Sequence, residues 1–192
     1  MTSYDAVLLA GGQARRLGGA NKPSLAIAGV TLLDRVLAAV GGAGRRIVVG
    51  PPTAGSLPYI LTRELPPGGG PVAAIAAGLA HVQAPIVVVL AADLPFVTPA
   101  TVEALVAATG AGAVAAVLVD DTGRDQLLVA AWRTDALRTK LALLGHLEGQ
   151  AARRLYDTVA VARVAGPQDT GQPPPWLDCD TEDDLRRARE WT

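Results

Sequence analysis

The chain contains a single cysteine, Cys179. That excludes a disulfide framework and a thiolate zinc site built within the chain. Aromatic residues make up only 4% of the sequence, too few for the core of an aromatic-rich β-sandwich. No sign of charge dominates, since 17 Lys and Arg face 18 Asp and Glu and leave a net −1. A global basic field of the kind that binds nucleic acid is therefore missing, and any anion site has to be assembled from local cations. The apolar runs are far too short to span a bilayer, and Met1–Asp5 lacks the basic start of a signal peptide. These absences lead us to expect a cytoplasmic protein with neither nucleic acid nor membrane as a partner.

What is present is a core of small aliphatic residues. Half the chain, 50%, is hydrophobic, mainly Ala, Val and Leu, which suits helices packed on a Val/Leu-rich sheet. A length of 192 residues suits one domain, residues 1–192, with a substantial core. Strand-like and helix-like stretches alternate. The pattern predicts strands over Ala6–Ala10, Arg46–Gly50, Tyr59–Thr62, Pro85–Ala92 and Thr158–Val164. It predicts helices over Thr31–Val40, Pro71–Val82, Thr134–Leu144, Gln150–Tyr156 and Thr181–Trp191, and one opened by Thr98 as N-cap with Pro99 in its first turn. The Val/Ile/Leu run of Pro85–Ala92 has the composition of a central parallel strand buried on both faces. Val114–Val119 and Gln126–Trp132 flank Asp120-Asp121-Thr122-Gly123, which signals a hairpin. The fold class that follows is α/β, layered, with a mostly parallel sheet and a small antiparallel portion.

Three constellations carry chemistry. The first is the apolar run Ala6–Ala10 ending at Gly11-Gly12, with Arg15, Arg16 and Lys22 following. Glycines let backbone N–H groups approach phosphate oxygens, and the cations neutralise them, so the segment reads as a polyphosphate loop. It is neither a Walker loop, which needs Gly-Lys-Ser/Thr, nor a dinucleotide fingerprint. Gly110–Ala115 matches the fingerprint's letters but leaves a helix and enters a strand. The plain alternative is an ordinary strand-to-helix turn with solvated cations. The second constellation is Val87–Ala92 followed by Asp93-Leu94-Pro95. In open α/β sheets ligands bind beyond the carboxyl ends of strands, so Asp93 either holds a divalent cation beside the phosphates or caps the turn. The third is Asp178-Cys179-Asp180-Thr181 with Glu182, Asp183, Asp184 and Leu185. On a strand, Asp178 and Asp180 share one face. Thr181 or Asp180 caps the helix, Asp180 being otherwise a second metal ligand, and the three following acids suit the positive end of a helix dipole. His81, His146 and Cys179 have no partner motif and are expected to be structural.

In this order and on these elements, the constellations resemble the MobA-like nucleotidyltransferases, and within them the molybdenum cofactor guanylyltransferases. The resemblance lies in Leu9-Ala10-Gly11-Gly12, Arg16-Leu17-Gly18, Asn21-Lys22, Gly70-Pro71-Val72-Ala73-Ala74, Asp93-Leu94-Pro95 and Asp178–Leu185, and it covers nearly the whole chain. The chain departs from the family pattern with Asn21 before the lysine, Leu127 after Gln126, and Val72 and Ala74 in the Gly-Pro segment.

The resemblance implies a Rossmann-like three-layer αβα form of the α/β fold, with a nucleotide-binding N-terminal half and an acceptor-binding C-terminal half. It implies transfer of GMP from GTP to the terminal phosphate of molybdopterin or Mo-molybdopterin, with release of pyrophosphate. Leu9, Ala10, Gly11 and Gly12 would cradle the nucleotide, joined by Arg63, Gly70 and Pro71. Arg16 and Lys22 would sit on the triphosphate. Mg²⁺ would be held by Asp93 and by Asp180, and Arg124 is a candidate for the pterin phosphate, its alternative being a turn arginine in water. Base selection would fall to the Arg63–Pro71 segment, where Glu64 is either a reader of the base or a surface residue. Related chemistries stay open at this point: a cytidylyltransferase, an enzyme acting on phospholactate or a sugar phosphate, or a non-catalytic carrier. Molybdopterin-delivering or molybdoenzyme-maturation proteins are the macromolecular partners this would imply.

Overall fold

The computed structural model describes residues 2–11, 22–110, 112–167 and 171–191, and its frame is the first strand, β1 (Tyr4–Leu9), every residue of which is buried. Three strands run parallel beside it. These are β4 (Arg46–Val49), β5 (Ile60–Thr62) and β6 (Ile86–Ala91), and the order on this side of the sheet is β5-β4-β1-β6. The second half of the sheet comes from β7 (Ala115–Val119), β8 (Asp125–Arg133) and β9 (Val161–Ala165), in the order β8-β7-β9 beyond β6. Only β8 runs against the rest, antiparallel to both β6 and β7, while β7 and β9 are parallel. The predicted central strand is therefore central, with a parallel neighbour on one side and an antiparallel one on the other.

Period-two alternation along β1 divides the core. Ala6 and Leu8 join a cluster with Leu33, Val36 and Leu37 of α1 (Leu32–Ala39) and with Val102 and Leu105 of α3 (Pro99–Ala108). Val7 and Leu9 join the opposite cluster, with Val72, Ile75 and Leu79 of α2 (Gly70–Leu79) and Leu137 and Leu141 of α4 (Thr134–Leu144). Two helical layers thus enclose one sheet, as the sequence predicts. The helices begin where the capping rules place them. Thr31 accepts the Asp34 N–H at 3.0 Å, and Thr98 accepts the Thr101 N–H at 3.2 Å with Pro99 next to it.

At the amino ends of the parallel strands, Asp5 is 2% exposed and fully engaged. Its carboxylate accepts the N–H groups of Arg45 (2.8 Å), Gln83 (2.7 Å) and Ala84 (3.0 Å). One buried charge with three charge-assisted donors thereby ties the starts of β1, β4 and β6 together.

Four local expectations need correction. A two-stranded hairpin, β2 (Ala26–Ile27) and β3 (Val30–Thr31), precedes α1, and its turn residues Ala28 and Gly29 both have positive φ, 50° and 79°. Alanine is a poor marker of that conformation, so the pattern hid the hairpin. The Gln150–Tyr156 segment is helical only as one 3-10 turn over Ala152–Leu155. Thr158 sits at φ 64°, which no strand residue does, so β9 starts at Val161. The Asp178–Asp180 segment is not a strand, although Asp178 and Asp180 are exposed on either side of buried Cys179, as the expected alternation requires. It leads into α5 (Glu182–Glu190), which packs its Leu185 and Ala188 against Ile27, Leu32, Phe96 and Cys179 in a third apolar cluster. No helix among the described residues is long and apolar enough to cross a membrane.

Candidate active site

Because β1, β4, β5 and β6 are parallel, their carboxyl ends meet at one edge, where chain leaving each strand turns outward. A cavity of about 610 Å³ opens there. Its walls include Leu9 at the end of β1 and Gly11 after it, Gly50 and Pro51 after β4, Arg63 and Glu64 after β5, and Asp93 after β6, with Gly68 before α2 and Gly70 and Pro71 opening that helix. The strand ends are tied by backbone hydrogen bonds, Ala10 N–H to Val49 O at 2.8 Å, Gly50 N–H to Thr62 O at 3.0 Å and Ala92 N–H to Leu9 O at 3.0 Å. Gly50 is dictated by this crowding. A Cβ there would lie 2.8 Å from the Ala10 carbonyl carbon and 3.0 Å from Gly11 N, so any side chain would push the loop after β1 out of place.

The next wall is a loop folded back on itself. Glu64 is 7% exposed, and its Oε1 accepts the Gly68 N–H at 2.9 Å. Its Oε2 is buried and has no hydrogen-bond partner among the described residues. A buried carboxylate oxygen of this kind is costly unless a ligand donor completes it. Gly68 and Gly70 reach the necessary turn with φ of 86° and 87°. Helix α2 then starts without any side-chain cap, with Pro71 in its first turn. Its uncapped positive end therefore borders the cavity, a favourable place for anionic oxygen.

Asp93 stands one residue past buried Ala92, half-buried on the opposite wall. Its carbonyl accepts the Cys179 N–H at 3.1 Å, which brings the Asp178–Asp180 segment alongside the Asp93 turn. Thr181 rather than Asp180 caps α5. The Thr181 hydroxyl accepts the Asp184 N–H at 3.2 Å and Asp184 returns a bond to the Thr181 N–H at 2.8 Å, a complete capping box. Burial alone would raise the Asp184 carboxyl, but the Thr181 side-chain and backbone donors outweigh it and hold it below the ordinary carboxylate range. Among the described residues no group of three or more His, Cys, Asp or Glu could hold a metal ion. Asp93 lines the cavity, while Asp180 is exposed and not among its lining residues; a single carboxylate there suits a hard cation that takes most of its shell from phosphate and water, and not an all-protein cage.

The structure brings Leu9, Ala10, Gly11, Arg63, Gly70, Pro71 and Asp93 to this edge; Arg63 is exposed. Gly12 and Arg16 lie outside the described residues, and Lys22 is described only as the first backbone position of the 3-10 helix Lys22–Ser24. Arg124 sits elsewhere, exposed in the β7–β8 turn and not on the cavity wall. Its N–H donates to Asp120 Oδ1 at 2.9 Å. That carboxylate is lowered to about 2, first by the Thr122 hydroxyl and next by the Arg124 N–H, so the acid organises the turn. Sequence reasoning left Glu64 open between a reader of the base and a surface residue, and the structure buries it on the cavity wall. A Glu after an Arg at a strand end looks like surface, and only the return of Gly68 onto it reveals the burial.

A family model described as the MobA-like NTP transferase domain matches residues 6–164. The chain is 31% identical to a molybdenum cofactor guanylyltransferase of Bradyrhizobium sp. (strain ORS 278), over 97% of this chain and 92% of that one. It is 32% identical to a protein of the same name from Acidiphilium cryptum (strain JF-5), over 95% and 92%. Among solved structures, the molybdopterin-guanine dinucleotide biosynthesis protein A of Archaeoglobus fulgidus superposes with a TM-score of 0.72 at 23% identity, covering 97% of both chains. Rv0371c of Mycobacterium tuberculosis H37Rv superposes with a TM-score of 0.76 at 24% identity over 98% of each. These two similarities establish the fold.

Proposed function

The chain belongs to the MobA-like NTP transferase family and is a nucleotidyltransferase, and on that premise we propose that it moves GMP from GTP to the terminal phosphate of molybdopterin. An oxygen of that phosphate forms a bond to the α-phosphorus of GTP. The bond from that phosphorus to the α–β bridging oxygen breaks, and pyrophosphate leaves with the electron pair. The acceptor is already ionised, so no protein nucleophile is needed, and the work of the chain is to neutralise and align two anions.

The observation that carries the reading is the pair of carboxylates on one cavity, Glu64 at the end of β5 and Asp93 at the end of β6. Guanine presents adjacent donors, N1–H and the 2-amino group, and a carboxylate accepts both. Cytosine and adenine present an acceptor at the matching ring position, which a carboxylate repels. Glu64, with one oxygen held by Gly68 and the other buried and without a hydrogen-bond partner among the described residues, therefore favours GTP over CTP and ATP. The backbone of Leu9, Ala10 and Gly11 lies against the nucleotide, and the uncapped start of α2 at Gly70-Pro71 faces its anionic part. Arg16 and Lys22 supply charge for the departing pyrophosphate. Family members of this kind use a divalent metal, and Mg²⁺ is the ion we assign, held by Asp93 with Asp180 as a second ligand. When bound it draws negative charge from the phosphate oxygens. Incubation of the chain with molybdopterin and each NTP in turn, following pyrophosphate release, tests the reading. Turnover is expected with GTP, and use of CTP with GTP ignored would overturn it.

A further inference from the structure

The base-side loop is braced by a turn from the other half of the chain. After α4 the backbone turns through residues 145–151, and the Gly149 N–H donates to the Gly69 carbonyl at 2.8 Å. Gly149 achieves this at φ 70°, in the left-handed region. The contact extends to the next residue, since a Cβ on Gly70 would lie 3.8 Å from both Gly149 N and Gln150 O. Side chains fill the space between the two segments only in part, since a Cβ on Gly69 would lie 3.8 Å from the Glu148 side chain. A cavity of about 390 Å³ separates Glu64, Leu65 and Pro66 from His146, Leu147 and Glu148. The backbone hydrogen bond therefore holds the Gly69–Gly70 peptide, to which that carbonyl belongs. Two peptide units upstream, the Pro67–Gly68 peptide fixes a carboxylate, because the Gly68 N–H holds Glu64 Oε1 at 2.9 Å.

We propose that Gly149 is a positioning residue for base discrimination, aiming the Glu64 carboxylate through the Gly69 carbonyl and the Gly68 N–H. The proposal rests on the guanine reading above. It also makes specificity in the nucleotide half depend on a turn that follows a helix of the acceptor half.

The test compares binding of GTP and ITP, which lacks the 2-amino group, to the full chain with Mg²⁺, for the unaltered protein, Gly149→Ala and Gly149→Asn. Alanine disfavours positive φ, so the turn relaxes and GTP affinity falls about five- to tenfold, about 1–1.4 kcal/mol. ITP affinity falls less, the GTP/ITP ratio contracts toward one, and KM for the pterin acceptor stays unchanged. Asparagine tolerates the left-handed region and restores the ratio. An unchanged ratio in a folded Gly149→Ala protein overturns the brace, as does an equal loss for both nucleotides. An unaltered protein that fails to prefer GTP over ITP defeats the guanine reading itself. Hydrogen exchange needs no variant. Exchange at the Gly149 amide is expected to slow more with GTP than with ITP, and equal slowing overturns the proposal.

Discussion

Asp93 and Glu64 reach the same cavity for different physical reasons. Asp93 follows a strand whose residues from Ile86 to Leu90 are all buried, so the first residues that can turn outward fall at the active edge. An aspartate at that position was legible from the run of apolar residues alone. Glu64 was not, because its burial comes from the glycine turn that follows it and not from its own strand. Asp93→Ala is expected to lower turnover by about a thousandfold or more with an unchanged melting temperature. Full activity in that variant would remove Asp93 from the metal site. Lys22→Ala is expected to weaken GTP binding by about tenfold or more, since a lysine on a triphosphate supplies a charge-assisted contact. Unchanged affinity by calorimetry would take Lys22 out of the nucleotide site.

Among the elements, α2 fits closely on the sheet at one glycine. A Cβ on Gly78 would lie 2.5 Å from Val7 Cγ1 and 3.0 Å from Val49 Cγ2, so the helix lies on β1 and β4 with no room for a methyl group. Gly78→Ala would favour an isolated helix by about 1 kcal/mol. Here the clash is with packed valines, and overpacking costs about 1–3 kcal/mol. The expected net result is a loss of stability in urea titration, accompanied by weaker nucleotide binding because the same helix carries Gly70-Pro71 at its start. At α5 the capping box makes the docked helix sensitive to acid. The Asp184 carboxyl is held low in the folded chain, so its contribution is present above the unfolded carboxylate pKa of about 4 and is lost as pH falls through the folded value. Thr181→Ala is expected to cost about 1 kcal/mol and to flatten the acid side of the stability profile, read from melting temperatures between neutral pH and pH 3. Both helices were legible as elements. The fit at Gly78 was not, because a glycine within an alanine-rich helix carries no sign of which valines it will meet.

On the scale of the molecule, alternation of strands and helices foretold the three layers and the parallel sheet. The Asp120–Gly123 signal foretold the reversed strand. What the pattern left out is how the chain's end returns to its beginning. The β2–β3 hairpin looks like a loop, and α5 looks like a charged surface helix, with three acids in its first turn and Arg187 and Arg189 in its last. Their few apolar residues meet only in three dimensions, around Phe96 just past the Asp93 turn. Holding the C-terminal segment are, among other contacts, a small cluster and a backbone bond to the carbonyl of the candidate metal ligand.

Cys179 sits at that junction, completely buried, and it is the only thiol in the chain. Its alkylation is consequently a clock for the closing segment. A thiol reagent can reach the sulfur only when residues 177–191 lift away, and such local openings cost less than global unfolding. The labelling rate under native conditions should fall when GTP and Mg²⁺ are added, because a ligand held at Asp93 tightens the turn to which Cys179 is bonded. A rate indifferent to both would mean that the chain's last helix opens and closes without consulting the site beside it.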